Sequence, residues 1–434
     1  MNGPISDNTK AILLLAAPLL VAGKQRNGAR ILNITEYNQL ARLLRERNAQ
    51  PADLLSSAAP TLLADLRLRF DTKRLDELLA RGFLLSQAVE TWNSRAIRVA
   101  SRADPEYPRR FKARLRLEAP PLLYGCGDWS LLDGGGLAVV GSRRADENLL
   151  EFAQKTGSTS AAAGVTVISG AAKGIDRAAM EGSLSTGGRA IGIVADRLGQ
   201  AVVARDSREA IREKRLVLIS PFDPAAGFNV GNAMQRNKLI YGLADAALVV
   251  NSDHEKGGTW SGAIEQIERF RACLVFVRTG EGIPIGNKKL IEAGARPWPN
   301  PTTANDLTAL LTNARSTASV TLDSEQEGIL PGLRVGEEPM TSPSAPLVAP
   351  SHDIGMPAPA KELLDAVRAI LLRELTKPLT QKEVAELLGV PSKQASTWLK
   401  ALVKQRALTM MKRPTRYVVS SPWKGSVNNG LLPK

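Results

Sequence analysis

The sequence predicts an α/β fold centred on a doubly wound, mainly parallel sheet, with a helical module before it and a winged helix-turn-helix after it. Between residue 136 and about residue 300, short apolar runs alternate with helical patterns. Strands that are apolar throughout and separated by helices are typical of a parallel sheet covered on both faces. We place the strands at residues 137–140, 165–169, 190–195, 216–220, 246–251 and 273–278.

Residues 1–92 form the predicted helical module, with about four helices and no strand signals. The segments 37–44 and 75–82 have helical spacing, and Gly82 is expected to end the second helix. The apolar run 11–22 is too short to span a bilayer and contains a proline, so we expect a buried first helix that begins near Asp7. A short strand at 96–100 then leads towards the sheet domain, which we place at residues 93–312.

The chain changes character after the sheet domain. Residues 313–359 are rich in Ser, Pro, Thr and Ala, a composition that predicts a disordered linker. Residues 360–420 regain helical periodicity, with a capping box in which Glu383 follows Thr380 by three residues. Two helices, a short turn that contains glycine and a basic hairpin predict a winged helix-turn-helix. The hairpin strands are expected at 407–411 and 417–420, and residues 421–434 form a tail.

Charge and cysteine content limit the function classes. The net charge of +14 and the pI of 9.9 favour a polyanionic partner, although a basic protein without such a partner is the simpler alternative. Residues 361–434 hold 14 Lys and Arg against five Asp and Glu, so +9 of the charge lies there. Two distant cysteines fit a reducing cytoplasm, and two histidines argue against histidine-centred metal or triad chemistry. We predict no metal and no cofactor.

Two loops have the composition of phosphate-binding turns. Each follows an apolar run and leads into a helix, whose free N–H groups attract anions. The first contains Gly141, Ser142, Arg143 and Arg144. The second begins with Ser169 and Gly170, contains Lys173 and Gly174, and ends at Asp176, which is expected to cap the next helix. Tight packing of strand against helix is the alternative explanation. The Gly-Lys-Ser/Thr ending of a P-loop is missing.

Two further segments complete the candidate nucleic-acid site. Gln235, Arg236, Asn237 and Lys238 place polar groups on one turn at the predicted start of a helix, where phosphate and base contacts could use them. A second glycine loop, residues 256–262, contains Gly257, Gly258 and Thr259. Its Trp260 either stacks on a base or lies buried under the helix. Ligands of parallel sheets bind at the carboxyl ends of strands, so we expect the loops 141–144, 170–176, 221–238 and 252–259 to converge.

The C-terminal module has its own candidate contacts. Polar and basic residues lie on or near the exposed face of its predicted recognition helix, and further cations lie on the wing. On the helix and the wing these are Lys393, Gln394, Ser396, Thr397, Lys400, Lys412, Arg413 and Arg416. Winged helices bind either DNA or protein, and the charge favours DNA.

In order and spacing, these motifs resemble the DprA/Smf DNA-processing family over residues 95 to 300. Residues 141–143 match its Gly-Ser-Arg turn, and residues 169–176 match its Ser-Gly-x-Ala-x-Gly-Ile-Asp loop. Residues 236–242 match Arg-Asn-x-x-Ile-x-Gly. Met180 stands where the family usually has histidine, and residues 256–260 depart from its usual Ser-Gly-Ser.

The resemblance implies an extended Rossmann-like fold whose positive pocket binds single-stranded DNA. It also implies a homodimer that protects incoming strands and helps to load a RecA-type recombinase during natural transformation, without enzymatic activity. We expect Arg143, Lys173, Arg236 and Lys238 to neutralise phosphates, and Asn237 with the loop N–H groups to fix the strand. Because of its departures, the chain could also be a divergent member that acts in recombination or phage defence.

The main alternative is a nucleotide sensor or an enzyme. Lonely-guy-type nucleoside monophosphate phosphoribohydrolases share this superfamily, and the segment from Gly257 to Glu265 partly resembles their glycine loop. Hydrolysis would need a carboxylate in the pocket, for which Glu265 is the candidate. If Glu265 faces away from the pocket, this alternative fails. In a third possibility, the loops are purely structural.

Overall fold

The computed structural model describes residues 4–20, 28–280, 282–326, 371, 379–387, 395–396, 398–399, 402–403, 408–411 and 416–419. These residues belong to two compact units, with the division after Arg334. No helix in these ranges is long and apolar enough to cross a membrane.

The first unit begins with a group of helices. These are α1 (Asp7–Ala16), α2 (Ile34–Glu46), α3 (Ala59–Leu66), α4 (Thr72–Leu79) and α5 (Gly82–Asn93). Helix α1 begins at Asp7 and buries Ile12 to Leu15, which confirms the predicted first helix. The expected role of Gly82 is wrong, because α4 ends at Leu79 and Gly82 is already the first residue of α5.

A single sheet of nine strands follows. Its strands are β1 (Arg98–Ser101), β2 (Leu122–Cys126), β3 (Leu137–Val140), β4 (Val167–Ser169), β5 (Ala190–Ile193), β6 (Leu216–Ser220), β7 (Ala246–Val249), β8 (Leu274–Val277) and β9 (Arg296–Pro297). Their order is β1-β2-β6-β5-β4-β3-β7-β8-β9. Strands β1 and β2 are antiparallel to their neighbours. The other seven strands, β3 to β9, are all parallel to one another. The mainly parallel α/β sheet is therefore confirmed.

Helices cover both faces of this sheet. They are α6 (Arg109–Leu115), α7 (Glu147–Ala162), α8 (Ile175–Ser185), α9 (Leu198–Ala201), α10 (Arg205–Arg212), α11 (Val230–Leu243), α12 (Gly257–Glu265), α13 (Ile285–Glu292) and α14 (Ala304–Gln326). One core joins the N-terminal helices to α7, α8 and α14, and a second core lies under α6, α11, α12 and α13. The first core contains Leu13 and Trp92 from the N-terminal helices and Val139 from the sheet, so it crosses the predicted domain boundary at residue 92. That boundary stays a prediction.

Helix α14 corrects the predicted start of the linker. The linker was expected from residue 313, yet α14 continues to Gln326. The side chains of Leu307, Leu311 and Ala314 are buried at helical spacing, which anchors α14 to the sheet unit. The polar residues between them dominate the composition and conceal the helix in the sequence. Residues 327–359 of the predicted linker lie outside the described ranges.

The second unit contains α15 (Gln381–Leu387) and the antiparallel strands β10 (Leu408–Met411) and β11 (Arg416–Val419). Its core includes Val384, Leu399 and Tyr417. The capping box is present, since the Thr380 N–H donates to Glu383 Oε2 at 2.7 Å and the Glu383 N–H donates to Thr380 Oγ1 at 3.4 Å. The winged helix-turn-helix as a whole stays a prediction.

Candidate nucleic-acid interface

A cavity of about 530 Å³ lies at the carboxyl ends of β3 and β7. Each of the four candidate loops contributes to its wall, together with one face of α11 and the start of α12. The lining includes Val140, Gly141, Ser142, Arg143, Ala172, Asp176, Phe228, Val230, Ala233, Met234, Arg236, Asn237, Ile240, Tyr241, Asn251, Ser252, Asp253, Lys256, Gly257, Gly258, Thr259 and Ser261. The structure therefore brings together loops that are far apart in the sequence.

Hydrogen bonds lock the loops against one another. The Ser142 N–H donates to Asn251 Oδ1 at 2.9 Å, and the Thr259 hydroxyl donates to the Gly141 carbonyl at 3.0 Å. Asn237 Nδ2 donates to the Gly258 carbonyl at 2.9 Å. Asn251 was missed in the sequence because it looks like an ordinary polar residue at a strand end. These bonds fix the shape of the cavity before any ligand binds.

Glycine at position 174 is required by the contact between two loops. Its φ is +92°, a value that side chains rarely adopt, and a Cβ there would lie 2.4 Å from the Ser142 carbonyl oxygen. Gly174 directly precedes Ile175, the first residue of α8. The close approach thus sets the start of this helix against the turn that contains Arg143.

Two buried groups of opposite charge, Arg236 and Asp176, lie at the cavity floor. Arg236 is only 4% exposed, and its Nη1 donates to the Ile193 carbonyl at 2.6 Å. Burial lowers the pKa of Arg236, and the negative charge of Asp176 opposes this shift. A Cβ at position 170 would lie 1.7 Å from Arg236 Nη1, so Gly170 makes room for the guanidinium group. Arg236 lines the cavity, but it also anchors α11 to the end of β5.

Asp176 does not cap α8 as predicted. It lies within the first turn, and its carboxylate turns back to accept the Gly170 N–H at 3.2 Å. Burial raises the pKa of Asp176, and Arg236 with backbone N–H groups of the loops opposes the shift. Ser169 also has a structural role, since its buried hydroxyl donates to the Val139 carbonyl at 2.6 Å.

Exposed cations and apolar side chains surround the mouth of the cavity. Arg143 and Lys256 line it and are exposed. The guanidinium group of Arg143 lies over the Phe228 ring, with its carbon 5.2 Å from the ring centroid. The Phe228 side chain is 51% exposed. Sequence reasoning did not include Phe228 or Lys256 in the site. An aromatic residue in a loop rich in glycine was the available signal for Phe228.

Arg144 in the loop 141–144 and Lys173 in the loop 170–176 are exposed, but neither lines the cavity. The Arg144 N–H donates to Ser142 Oγ at 3.0 Å, which shapes the turn. Any contact of these two cations with a ligand would therefore lie beside the cavity and not within it.

The structure separates Gln235 and Lys238 from this site. Helix α11 begins at Val230 and not at Gln235, because Asn229 caps it and accepts the Gly231 N–H. Successive helix residues point about 100° apart, so Arg236 and Asn237 face the cavity while their neighbours do not. Lys238 Nζ donates to Glu118 Oε2 at 2.7 Å, and both Gln235 and Lys238 line a different cavity. Lys238 therefore lies outside this cavity, and its expected contact with a phosphate stays a prediction.

Two further candidates also lie elsewhere. Trp260 meets His254 edge to face, with ring centroids 4.9 Å apart, and packs against the core. Glu265 Oε1 lies 3.1 Å from Arg269 Nη1 and lines the same cavity as Lys238. The enzyme alternative thus loses its candidate carboxylate. Among the described lining residues the carboxylates are Asp176, which is bonded to the loops, and the exposed Asp253.

Comparison with known proteins identifies the family. The model for DNA recombination-mediator protein A matches residues 98–311. The DNA processing protein DprA of Bacillus subtilis is 26% identical over 278 residues, which cover 61% of this chain and 90% of that protein. The Smf protein of Escherichia coli is 32% identical over 190 residues.

The chain belongs to the DprA/Smf family.

The likeness to family members differs in extent. The match covers 48% of the E. coli Smf protein, and 56% of the Smf protein of Synechocystis, so the chain spans about half the length of these two. The X-ray structure of DprA from Streptococcus pneumoniae superimposes with a TM-score of 0.50 at 21% identity, over 64% of this chain and 98% of that one. This likeness shows the DprA fold.

The DprA/Smf match leaves the C-terminal candidates untested. Six of them lie outside the described residues: Lys393, Gln394, Thr397, Lys400, Lys412 and Arg413. Arg416 belongs to β11, but its side chain is not described. DNA contact through the predicted winged helix therefore stays a prediction.

Proposed function

We propose that this DprA/Smf protein binds single-stranded DNA in the cavity at the carboxyl ends of β3 and β7. The observation that carries the proposal is the mouth of this cavity, where Arg143 and Lys256 are exposed beside the ring of Phe228. Cations that follow a backbone, together with aromatic faces on which bases stack, are the usual means of binding single strands. Family membership supports a role in DNA processing.

Each part of the mouth has a distinct role in this proposal. Arg143 and Lys256 neutralise phosphates, and loop N–H groups approach the backbone where glycine bares it. The ring of Phe228 stacks on a base. Any base can occupy this position, because every base has a π-face. Such contacts carry little sequence information. Binding is therefore expected to be broadly nonspecific and to weaken steeply as salt rises.

The buried pair of Arg236 and Asp176 prepares this surface. An isolated charge is costly to bury, and the opposite charge of each group offsets part of that cost for the other. Asp176 accepts N–H groups of two loops, and Arg236 joins α11 to the Ile193 carbonyl at the end of β5. We assign Arg236 mainly to this positioning role, which differs from direct phosphate neutralisation.

The finer functions follow from family resemblance. In this proposal the protein forms a homodimer, protects incoming strands and helps to load a RecA-type recombinase in natural transformation. It acts by binding and not by catalysis. The predicted winged helix adds a second, weaker DNA site, and a flexible tether raises its effective concentration near the bound strand. Linked weak sites of this kind increase overall affinity without a new contact.

The proposal predicts a specific loss when the two exposed cations are removed. In fluorescence polarisation with a labelled oligothymidylate, Arg143→Ala/Lys256→Ala should bind at least about tenfold more weakly than wild type. The slope of log affinity against log salt should also become shallower by about 1.4, since each phosphate contact to a single strand contributes about 0.7. Both substitutions are on exposed side chains, so folding should be unaffected.

The matched control removes the same charge elsewhere. Arg42→Ala/Lys73→Ala changes two exposed cations on α2 and α4, far from the cavity in the chain. It should retain the affinity and the salt slope of wild type. Equal binding by both double variants would show that the cavity mouth is not the DNA site.

A further inference from the structure

A second cavity, of about 360 Å³, lies between α7, the end of β8 and the start of α14. Its described lining has two cations, Lys155 and Arg278, and no carboxylate. Four threonines and one asparagine add polar groups, while Phe152 and Trp298 add aromatic surface. Two positive charges without an acidic partner favour an anionic ligand, and the aromatic walls favour one that also has a flat apolar part.

Arg278 is held in a defined position at this cavity. Its Nε donates to the Val250 carbonyl at 3.2 Å, and its guanidinium carbon lies 5.8 Å from the centroid of the Phe152 ring. Among the described residues, none accepts a hydrogen bond from its two Nη groups. A guanidinium fixed at one edge is suited to bind an anion with its remaining N–H groups.

The two cavities are neighbours across the sheet edge. In the β7–β8 register Val249 pairs with Val277, and the Arg278 N–H donates to the Val249 carbonyl at 3.0 Å. Asn251 and Thr279 each lie two residues beyond that pair, and they line the first and second cavity respectively. Neighbouring strands are about 4.8 Å apart. The ends of β7 and β8 separate the cavities together with the start of α13, where the buried Asn287 donates to the Val250 and Arg278 carbonyls.

The cavities open on opposite faces of the sheet. The apolar wall of the first includes Ile240 and Tyr241, which belong to the core under α11 and α12. The second is lined by Trp298 and Leu307, which belong to the core under α7 and α14. A chain that leaves the first cavity must therefore cross the start of α13 to reach the second.

We propose that the second cavity is a further subsite for the same single-stranded DNA. Lys155 and Arg278 bind a phosphate of a nucleotide that has passed over the start of α13, and the threonine hydroxyls contact its sugar or base. The inference rests on the proposed function of the first cavity. A continuous strand is favoured over a free nucleotide because the two sites are adjacent and both are cationic.

The experiment uses the full chain and a series of oligothymidylates from about 4 to about 20 nucleotides, the range of typical site sizes. Short oligonucleotides fill only the first cavity, while longer ones reach both. Lys155→Ala/Arg278→Ala should weaken binding of the longer oligonucleotides by about tenfold and leave the shortest unchanged. Arg143→Ala/Lys256→Ala should weaken every length. Arg278→Lys retains the charge and should recover part of the affinity for long strands.

Several results would overturn the inference. Wild-type affinity of Lys155→Ala/Arg278→Ala for every length would show that the strand does not enter the second cavity. An equal loss at all lengths would mean that these residues only support the first cavity. Binding of free thymidine monophosphate that the double variant abolishes, with unchanged oligonucleotide binding, would assign the cavity to free nucleotides. If wild type bound no oligonucleotide of any length, the proposed function itself would fail.

If the double alanine variant did not fold, Lys155→Ala alone would test the inference. Lys155 is an exposed residue of α7, so its truncation removes charge without opening the core. It should still weaken long oligonucleotides several-fold and spare the shortest. No length-dependent loss in this folded variant would equally contradict the inference.

Discussion

At the scale of single residues, the site depends on positions where a side chain is absent. Gly170 leaves the space through which Arg236 reaches the Ile193 carbonyl, and Gly174 lets the next helix begin against the Gly-Ser-Arg turn. These glycines were singled out in the sequence as places where a backbone could approach phosphate. The structure shows that they also allow protein groups to approach one another. Their functional and structural roles are therefore coupled.

This coupling predicts the effect of Gly170→Ala. The new Cβ would lie 1.7 Å from Arg236 Nη1 and 2.6 Å from Asp176 Oδ2, so the buried pair must move. Overpacking of this kind costs about 1–3 kcal/mol, and the displaced loops should also lose affinity for single-stranded DNA. Thermal unfolding and polarisation measure the two effects.

Gly82→Ala serves as the comparison for Gly170→Ala. A Cβ at Gly82 has no neighbour within 4 Å, and its backbone is helical at the start of α5. Alanine there should be neutral or slightly stabilising. A Gly170→Ala variant as stable as Gly82→Ala would contradict the proposed role of the buried pair.

The sequence shows which residues of the site are polar or basic, but it does not show which way their side chains point. The residues from Gln235 to Lys238 were singled out as polar, but the sequence shows neither that they lie within α11 nor which of them face the cavity. That depends on where α11 begins and on which face the core requires, and these follow from tertiary packing. Phe228 was missed because an isolated aromatic residue in a loop has no periodicity to distinguish a buried ring from an exposed one.

At the scale of elements, the strands of the sheet were readily predicted. A parallel strand that is covered on both faces is a continuous apolar run. Such a run can be recognised in the sequence without knowing which strands lie beside it. Helix α14 was harder to detect because only residues such as Leu307, Leu311 and Ala314 face the core. The antiparallel pairing of β1 and β2 at the edge depends on long-range contacts that local sequence patterns do not contain.

One buried carboxylate connects the first helix to the sheet. Asp104 accepts hydrogen bonds from the hydroxyls of Ser6, at 2.5 Å, and Thr9 of α1, and from the Ser101 N–H at 2.7 Å. Burial alone would raise the pKa of Asp104, but these hydrogen bonds outweigh burial and lower it. The lowered pKa means that the ionised carboxylate is more favourable in the folded chain than in the unfolded chain.

This contact predicts a pH-dependent contribution to stability. Because the pKa of Asp104 is lower in the folded state, its contribution is fully present above the ordinary value of 3.8 and is lost as the pH falls through the folded value. Asp104→Asn should therefore be less stable than wild type at neutral pH, and the difference should shrink in acid. Chemical denaturation at several pH values measures it. A difference that did not change with pH would contradict the assignment.

At the scale of the whole molecule, sequence and charge divide the chain into two parts. The family match covers residues 98–311, within the first compact unit, whereas +9 of the net charge of +14 lies in residues 361–434. The second unit has a small core of its own around Val384, Leu399 and Tyr417. Charge alone would direct attention to the C-terminal part, but the cavity with its ordered loops lies in the sheet unit.

The central claim is that single-stranded DNA binds at the cavity mouth of the sheet unit, and photo-crosslinking tests it most directly. A single-stranded oligonucleotide with a photoreactive pyrimidine is irradiated with the full chain, and the modified peptides are identified by mass spectrometry. We predict crosslinks in the segments 141–143, 228–234 and 256–259, with Phe228 foremost because its exposed ring lies beside Arg143. Unlabelled single strands should suppress them. Crosslinks confined to residues 360–434 would contradict the account.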